Sequence, residues 1–450
     1  MIFNTYYSDF DESCLTFSSV SPFSITIPST STYEGSLYYS TDRFHWNLCT
    51  KGDTLNSSSN GKLFFRGVEN TTFCANNKSA LSPTDQITTD SWLYSGNDYV
   101  DVIGNIETLL DYRRSSRPDM STKCFCLLFY NWDKLRTAPT LNATTLVERC
   151  YEGLFKNCSS LTIAPALPAT TLATGCYAYM FSHCRSLTTA PALPVITLAT
   201  SCYSAMFYSC TSLTTAPSLP ATTLAASCYT YMFASCSSLT TAPTLPAENL
   251  TTSCYYSMFE RCSSLTTAPS LPATTLTRSC YMQMFYGCSS LTTAPSLPAT
   301  TLAESCYRNM FSNCSSLTTA PALPVITLVD SCYYGMFSGC TSLTTAPALP
   351  ATTLVDSCYY SMFSGCIALT TIPRLSATSI PNGAYVNMFN DCSNVKISQT
   401  QTSTYSRSYY IGAPTGTASD CFWFMFSGTG GSFTGTPTGN TTYYTSNTVV

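Results

Sequence analysis

A repeat of constant length occupies the middle of the chain and restricts it to a small set of folds. Its first cysteine recurs every 26 residues, at Cys150, Cys176, Cys202, Cys228, Cys254, Cys280, Cys306, Cys332 and Cys358. A second cysteine follows eight residues later in each unit, at Cys158, Cys184, Cys210, Cys236, Cys262, Cys288, Cys314, Cys340 and Cys366. A fixed period of this size predicts a solenoid, in which each unit buries its apolar side by stacking on its neighbours.

The repeat loses its regularity at both ends. The unit that begins at Cys124 carries Trp132 where the second cysteine is expected. Ala384 occupies the first cysteine position of a later unit, and a further unit begins at Cys421 after an insertion. Atypical terminal units are typical of caps, which protect the open ends of a repeat array.

The first half of a unit predicts a short helix. Cys254, Met258 and Cys262 recur at positions i, i+4 and i+8, and Tyr255 and Phe259 follow the first two by one residue. On a helix these side chains form one apolar stripe. The positions that vary between units, 256, 257, 260 and 261, fall on the opposite, solvent-facing side.

The second half of a unit predicts two short extended segments. Leu265–Ala268 precedes a turn at Pro269 and Pro272, because two prolines that close together do not fit inside a paired strand. Thr274–Leu276 follows as the second extended segment. Stacked units would pair these segments in parallel ladders about 4.8 Å apart.

The cysteine pairs allow three interpretations. Zinc sites use closely spaced Cys or His ligands, but this pair spans about 12 Å on a helix and only His183 lies within the array. Disulfides within a unit are excluded by the same distance, and a ladder of equivalent cysteines has no natural pairing. Free cysteine is among the most buried residue types. The pattern therefore favours cysteines that act as small core residues.

Composition excludes several classes of protein. Only 10% of the 450 residues are charged and the net charge is −4, so no basic footprint for nucleic acid is present. The stretch MIFNTYYSDFDESC has no basic start and no apolar core, so we expect no secretory signal there. No window has 18 continuous apolar residues, which predicts no membrane insertion.

The repeat resembles the BspA-like leucine-rich repeats. Units of the type MFSGCTSLTTAPALPATTLVDSC share with that family a Phe, a two-residue gap, a Cys, a Leu-anchored strand and a Pro turn. The resemblance covers residues 124–392. The unit differs from the usual pattern in its length of 26 residues and in Ala-Pro at the strand core. What the resemblance implies is a mainly β fold with short helices, built as a leucine-rich-repeat solenoid.

The flanking segments also resemble parts of such proteins. SLYYSTDRFHWNLC, GKLFFRG and DVIGNIETLL are similar to the N-terminal β module of BspA-like proteins from gut Bacteroidetes, such as Bacteroides, and from their crAss-like phages. LTFSSV, FSITI, Leu37–Tyr39 and Leu63–Phe65 read as strands, and NIETLL reads as a short capped helix. We predict a small β-sandwich-like module at 1–104, a capping unit at 105–149, the solenoid at 150–392 and a C-terminal cap at 393–450.

The resemblance implies a non-enzymatic structural and attachment protein. A phage protein of this type would be a fibre, head or tail appendage on the virion surface that contacts a host-surface protein or glycan. Its other partners would be virion proteins or further copies of itself. The alternative is an adhesin on the bacterial cell surface. Nucleic acid, metals and cofactors are not expected as ligands.

The residues that carry chemistry in enzymes are sparse. His45 and His183 are the only histidines, and His183 lies at a variable position without acidic neighbours in sequence. SGTGGSFTGTPTG lacks the Lys and the strand–helix context of a phosphate-binding loop, so it is interpreted as a flexible segment. A carbohydrate-active enzyme needs clustered carboxylates, which the array does not provide. We therefore predict no catalytic residues.

The variable face of the repeats is the candidate for recognition. Variable residues there are either a solvated surface that keeps the array soluble or a surface that binds a partner, and repeat arrays expose long surfaces of this kind. The candidate surface consists of Tyr256, Glu260, Arg261, Met282, Gln283, Tyr286 and Arg308.

Overall fold

The structure is a computed structural model that describes residues 14–73, 91–113 and 119–450. The chain divides into two compact units, Met1–Leu219 and Pro220–Val450. The predicted absence of a signal in the first residues, and part of the predicted N-terminal module, lie outside the described residues.

The strands of the first unit form two sheets. They are β1 (Leu15–Ser18), β2 (Ser24–Thr26), β3 (Ser36–Ser40), β4 (Asn47–Leu48), β5 (Thr54–Asn56), β6 (Lys62–Val68), β7 (Leu93–Ser95), β8 (Val100–Ile103) and β9 (Leu135–Thr137). One sheet has the order β4-β3-β6-β1-β8-β9, and the other has the order β5-β2-β7. All neighbours are antiparallel except β8 and β9, which are parallel. The four strands predicted from the sequence are confirmed as β1, β2, β3 and β6.

An aromatic cluster joins these sheets to the first, irregular repeat. Phe17 packs against Phe65, with ring centroids 5.4 Å apart, and against Trp132 at 5.8 Å. Trp132 also contacts Tyr94 at 5.6 Å and donates its indole N–H to the carbonyl of Trp92. Trp132 therefore replaces the second cysteine of this unit because a large ring is needed to bury the sheets against the repeat.

The predicted short helix is confirmed as α1 (Thr108–Asp111), but its predicted cap is not, because the N-cap residue Glu107 makes no side-chain capping hydrogen bond. Just before the helix, the side-chain oxygen of Asn105 accepts from the Glu107 N–H at 3.0 Å. The buried Glu107 carboxylate accepts from the N–H of Asn142 at 3.0 Å and from the Tyr151 hydroxyl at 2.6 Å. Burial raises the pKa of Glu107. This one carboxyl thus connects the helix to the first complete repeat.

The predicted helix in each repeat is wrong. Residues 252–261 form a run of overlapping turns, and the helices among the described residues are α1 and α2 (Ala418–Phe422). Every fourth residue has a left-handed backbone, with φ of 55° at Ser253, 50° at Ser257 and 57° at Arg261. An α-helix requires φ near −63° at every residue, so this spacing interrupts it. Ser, Asn and Gly occupy most of these positions, and Gly adopts positive φ without steric cost.

The backbone N–H groups of the turn run alternate between two kinds of partner. Those of Cys254, Tyr256, Met258, Glu260 and Cys262 donate to the carbonyl three residues earlier in the same repeat. Those of Ser253, Tyr255, Ser257, Phe259 and Arg261 donate to the next repeat, to the carbonyls of Arg278, Cys280, Met282, Met284 and Tyr286. Half of the donors therefore hold the turns and half hold the stack, whereas in a helix all would stay within the repeat.

The extended segments pair in parallel, as predicted, but each segment forms only one β-bridge to the equivalent segment of a neighbouring repeat. Thr267 pairs with Thr241 and Thr293, and Thr275 pairs with Thr301. The predicted apolar anchors Leu265, Leu271 and Leu276 are buried, with exposures of 0%, 2% and 4%. The prolines limit pairing because they lack an N–H donor.

Aromatic rings of equivalent residues stack along each unit. In the second unit, Tyr255 lies 5.8 Å from Tyr281 and Phe259 lies 5.8 Å from Phe285, with interplanar angles of 4° in both cases. In the first unit, Phe155 and Phe181 stack at 5.7 Å. Parallel, offset rings at this distance are favourable, so the same residue can recur in every repeat.

The cysteines among the described residues are buried and form no disulfide, as the core interpretation predicts. The second cysteine of a repeat has an additional role. The thiol of Cys288 donates to the Phe259 carbonyl of the preceding repeat at 3.0 Å, and the same carbonyl accepts from the Cys262 N–H at 3.1 Å. Equivalent thiol bonds of 3.0–3.1 Å recur in the second unit at Cys262, Cys314, Cys340, Cys366 and Cys392. Cysteine is thus small enough for this core position and supplies a donor there.

The end of the second unit adds strands after the last regular repeats. They are β10 (Thr371–Ile372), β11 (Ser379–Ile380), β12 (Ile397–Ser398), β13 (Arg407–Ile411), β14 (Ala413–Pro414), β15 (Thr441–Thr445) and β16 (Thr448–Val449). β10 pairs with β16 and β11 with β14 in parallel, while β15 lies antiparallel between β12 and β13. The amide of Asn447 donates to the carbonyls of Thr370 and Asn394 at 3.0 Å, which ties this segment to the repeats.

The thiol bond can be tested by comparing the two cysteine series. We expect Cys288→Ala to lower the free energy of unfolding by about 1 kcal/mol more than Cys306→Ala. Both changes remove a fully buried sulfur, but among the described residues the Cys306 thiol donates no hydrogen bond to another repeat. Chemical denaturation measures both losses, and Cys288→Ser should recover part of the first. Equal losses would contradict a stabilising thiol bond.

The buried thiols also predict alkaline unfolding. Burial raises the pKa of Cys280 and of Cys332 to about 11 and that of Cys314 to about 12, while thiols in an unfolded chain ionise near pH 8.5. Stability is therefore fully present below about pH 8.5 and is lost as the pH rises towards 11, because the unfolded chain releases protons first. Between the two pKa values, each thiol lowers the free energy of unfolding by up to about 1.4 kcal/mol per pH unit. Urea midpoints in reductant at pH 7.5, 8.5 and 9.5 measure this, and a constant midpoint would refute it.

Candidate recognition surface

The turn run presents two outward-facing groups of residues in each repeat. In the Cys254 repeat the first group is represented by Tyr256 and the second by Glu260 and Arg261. Position 257, predicted to face solvent, does not: Ser257 is buried with an exposure of 0%. The structure brings the seven predicted residues together on three consecutive repeats of the second unit. Arg261 is exposed, and Tyr256, Glu260, Met282, Gln283, Tyr286 and Arg308 are half-buried. We call these seven residues the recognition surface.

Neighbouring repeats connect the charged and aromatic members of this surface. The Arg261 guanidinium lies 3.8 Å from the Glu260 carboxylate, and its centre is 6.0 Å from the Tyr286 ring. Ser257 donates to the Gln283 side-chain oxygen at 3.4 Å. The Arg261 side chain remains 63% exposed, so the ion pair is weak and the guanidinium keeps free donors for a ligand.

An aromatic extension continues from Arg308 and was missed in the sequence. The Arg308 guanidinium lies 4.2 Å above the Tyr334 ring, and Tyr334 stacks on Tyr360 at 4.5 Å with an interplanar angle of 6°. Asn387 then donates to the Tyr360 hydroxyl at 3.4 Å. The signal for it was the second tyrosine of the CYY triplets, which occupies the same repeat position as Tyr256 and Arg308.

Two tyrosines at the ends of this face, Tyr334 and Tyr231, are held in the protonated form by their surroundings. Burial raises the pKa of Tyr334, and the neighbouring Tyr360 adds to the effect. At the other end of the surface, burial and the hydrogen bond from its hydroxyl to that of Tyr256 raise the pKa of Tyr231. Neutral hydroxyls and half-buried rings can hydrogen-bond and stack with polar ligands such as sugars and peptides.

The two histidines do not form a catalytic group. His183, predicted to be exposed, is half-buried with φ of 63°, and its ring bonds the Ser182 hydroxyl at 2.9 Å. Burial, with the nearby Lys156 and Arg185, lowers its pKa to about 4. His45 lies in an exposed turn, where its Nδ1 is 2.7 Å from the Asp42 carboxylate. This contact was not predicted, and it organises the turn because Asp42 also accepts backbone N–H groups.

Other kinds of site were sought over residues 14–73, 91–113 and 119–450. No group of His, Cys, Asp or Glu side chains in these ranges could hold a metal ion. The helices within them are too short and too polar to cross a bilayer. A cavity of about 450 Å³ lies in the first unit against the Ala-Pro turns, between Arg136 and Pro168. Its lining is mainly Thr, Ala and Pro, which supplies no acid, base or nucleophile.

The parallel bridges, the leucine anchors and the 26-residue period define a mainly β leucine-rich-repeat protein. A family model described as the BspA type leucine rich repeat region matches the chain in six copies, over residues 127–266, 200–334 and 308–411. The chain belongs to this family. Its repeats are of a kind found in surface and adhesion proteins and are typically non-enzymatic. No curated protein and no solved structure matches the chain.

Proposed function

We propose that the chain is a non-enzymatic attachment protein of a phage virion, in which the recognition surface contacts a host-surface protein or glycan. The observation that carries this proposal is the set of arginine and tyrosine side chains that successive repeats present from Tyr256 to Tyr360. Arg and Tyr are enriched at the centres of binding interfaces because they combine large contact area with hydrogen bonding. The surface and adhesion character of the family supports the same conclusion.

The proposed architecture suits this role. The unbroken 26-residue period supports one solenoid over residues 150–392, which would repeat the outward positions along an extended surface. We further propose a small β-sandwich-like module at 1–104, a capping unit at 105–149 and a C-terminal cap at 393–450. The module and the cap are then free to contact other virion proteins or another copy of the chain.

One observation favours a virion over a bacterial envelope. The described cysteines are buried and form no disulfide, which suits assembly in a reducing cytosol, whereas exported proteins encounter conditions that oxidise thiols. The flanking segments resemble those of bacterial and phage-encoded members alike and do not distinguish the two locations. The alternative is a cell-surface adhesin of a bacterium such as Bacteroides, which would use the same recognition surface from the cell envelope.

Immunogold electron microscopy of the source culture tests the location. With an antibody against the repeats, we expect gold on virus particles, and its position would distinguish a head decoration from a tail or fibre appendage. Particles stained with preimmune serum provide the control. Gold on cell envelopes together with bare particles would reject the virion and support the adhesin.

A binding experiment tests the recognition surface itself. We expect Arg261→Ala with Tyr286→Ala to weaken binding of the purified full chain to host cells about tenfold or more, since residues of this type contribute about 2 kcal/mol or more at interface centres. The matched control is Thr301→Ala with Arg374→Ala, which removes one exposed Thr and one exposed Arg elsewhere in the same unit. Cell-bound protein is measured by flow cytometry, and circular dichroism checks the fold. Equal binding by both variants would exclude this surface as the contact.

A further inference from the structure

The last repeat of the described residues carries backbone donors that no further repeat within them covers. In the repeat before it, the N–H groups of Asn387, Phe389 and Asp391 donate to the carbonyls of Trp423, Met425 and Ser427, at 2.8, 3.0 and 2.7 Å. The repeat before that does the same, with Ser361, Phe363 and Gly365 donating to Val386, Met388 and Asn390. Each repeat therefore offers N–H groups at alternate residues to the backbone that follows it, and these three belong to that series.

The equivalent donors of the last repeat are the N–H groups of Phe424, Phe426 and Gly428. The carbonyls of the alternating residues Trp423, Met425 and Ser427 accept from the preceding repeat. The three N–H groups therefore point away from that repeat. Within the described part of the chain, none of the three has a hydrogen-bond acceptor. Phe424 and Gly428 keep the left-handed backbone of the turn run, with φ of 53° and 69°, so the geometry of a normal donor edge is retained. We call these three N–H groups the open edge.

A cavity of about 340 Å³ lies at the open edge. One wall is the last repeat itself, including Phe424, Phe426 and Gly428. The other wall is the segment Phe433–Thr436. A volume near the lower end of the range for ligand pockets accommodates a short peptide segment.

Apolar surface continues beside the cavity. Trp423 and Phe424 stack on each other with ring centroids 4.9 Å apart, and they are 55% and 47% exposed. In earlier repeats the side chains at these positions are buried or half-buried. An exposed aromatic pair next to unused backbone donors is typical of a site that binds another polypeptide.

The chemistry of the edge selects among possible occupants. A carboxylate oxygen of Asp391 lies beside Gly428, only 2.3 Å from where a Cβ on that glycine would be, so an anion at the edge would meet like charge. A second copy that stacked head to tail would have to offer the carbonyls of its first repeat. Residues of the N-terminal sheets already lie against that edge, since Ser91 donates to the Tyr130 carbonyl and the Phe17 ring packs 6.2 Å from that of Phe129. A neutral peptide backbone from another protein meets neither obstacle.

We propose that the open edge is a docking site for a peptide segment of a partner protein, bound through three carbonyl oxygens at alternate residues. The partner's backbone takes the place that the next repeat takes throughout the array, in the manner of strand addition to a sheet edge. An apolar side chain of the partner contacts Trp423 and Phe424. This proposal concerns the end of the array and does not depend on the recognition surface.

Hydrogen exchange on the full chain tests the site. The probe is a synthetic peptide with the sequence SCYYSMFERC of residues 253–262, whose carbonyls at Tyr256, Met258 and Glu260 accept from the preceding repeat in the structure. In the free protein, we expect the amides of 421–429 to exchange at least tenfold faster than those of 358–366. Excess peptide in reductant should slow them about tenfold, and a scrambled peptide should not.

Two variants locate the effect. Thr434→Trp places a large ring in the cavity and should abolish the protection, whereas Ser432→Trp adds the same ring at an exposed position outside it. Slow exchange of the 421–429 amides in the absence of peptide would overturn the proposal. Equal protection by the peptide in both variants would overturn it as well. Protection by sodium sulfate instead of peptide would indicate an anion site. Protection that rises with protein concentration alone would indicate a second copy, and either result also overturns the proposal.

Discussion

The alternation of backbone donors in the turn run is the constraint on which the rest of the structure depends. One N–H in two bonds within its own repeat, and the other bonds the next repeat. This division requires a left-handed residue at every fourth position, as at Ser253, Ser257 and Arg261, and so it excludes a helix. It also leaves each repeat with unsatisfied donors when it stands alone. Repeats of this kind are therefore stable only when something follows them, which makes the ends of the array special.

The core follows from this fixed register. Because the backbone places each residue against its equivalent in the next repeat, a core side chain must pack well against a copy of itself. Flat rings do so, and Tyr255 and Phe259 stack on Tyr281 and Phe285 almost without tilt. Cysteine does so for a different reason, since its small thiol also bonds a carbonyl of the preceding repeat. Identical cores in successive repeats are thus a packing solution.

Side chains at the outward positions do not have to pack against a copy of themselves, and these are the positions at which the repeats differ. Their backbone atoms hold the stack, but their side chains can change without altering the register. Arg308 and Tyr334 can therefore lie in contact on adjacent repeats while the core beneath them stays constant. The same separation operates at the last repeat, where Trp423 and Phe424 expose large rings although Phe426 remains in the buried column. Variation between repeats is thus confined to surfaces that the scaffold positions but does not specify.

The sequence by itself determined the period, the family, the buried residues and the parallel pairing, because all of these follow from recurrence along the chain. It also placed the seven residues of the recognition surface on one face. It did not reveal the turn run. Cysteine, methionine and cysteine at i, i+4 and i+8 fit the apolar face of an α-helix, but the same spacing also fits a run of turns in which every fourth residue is left-handed. Only the tertiary structure decided between them, since the deciding hydrogen bonds join residues in different repeats. For the same reason, the thiol bond of Cys288, the contact of Arg308 with Tyr334 and the open edge became visible only when the repeats were stacked.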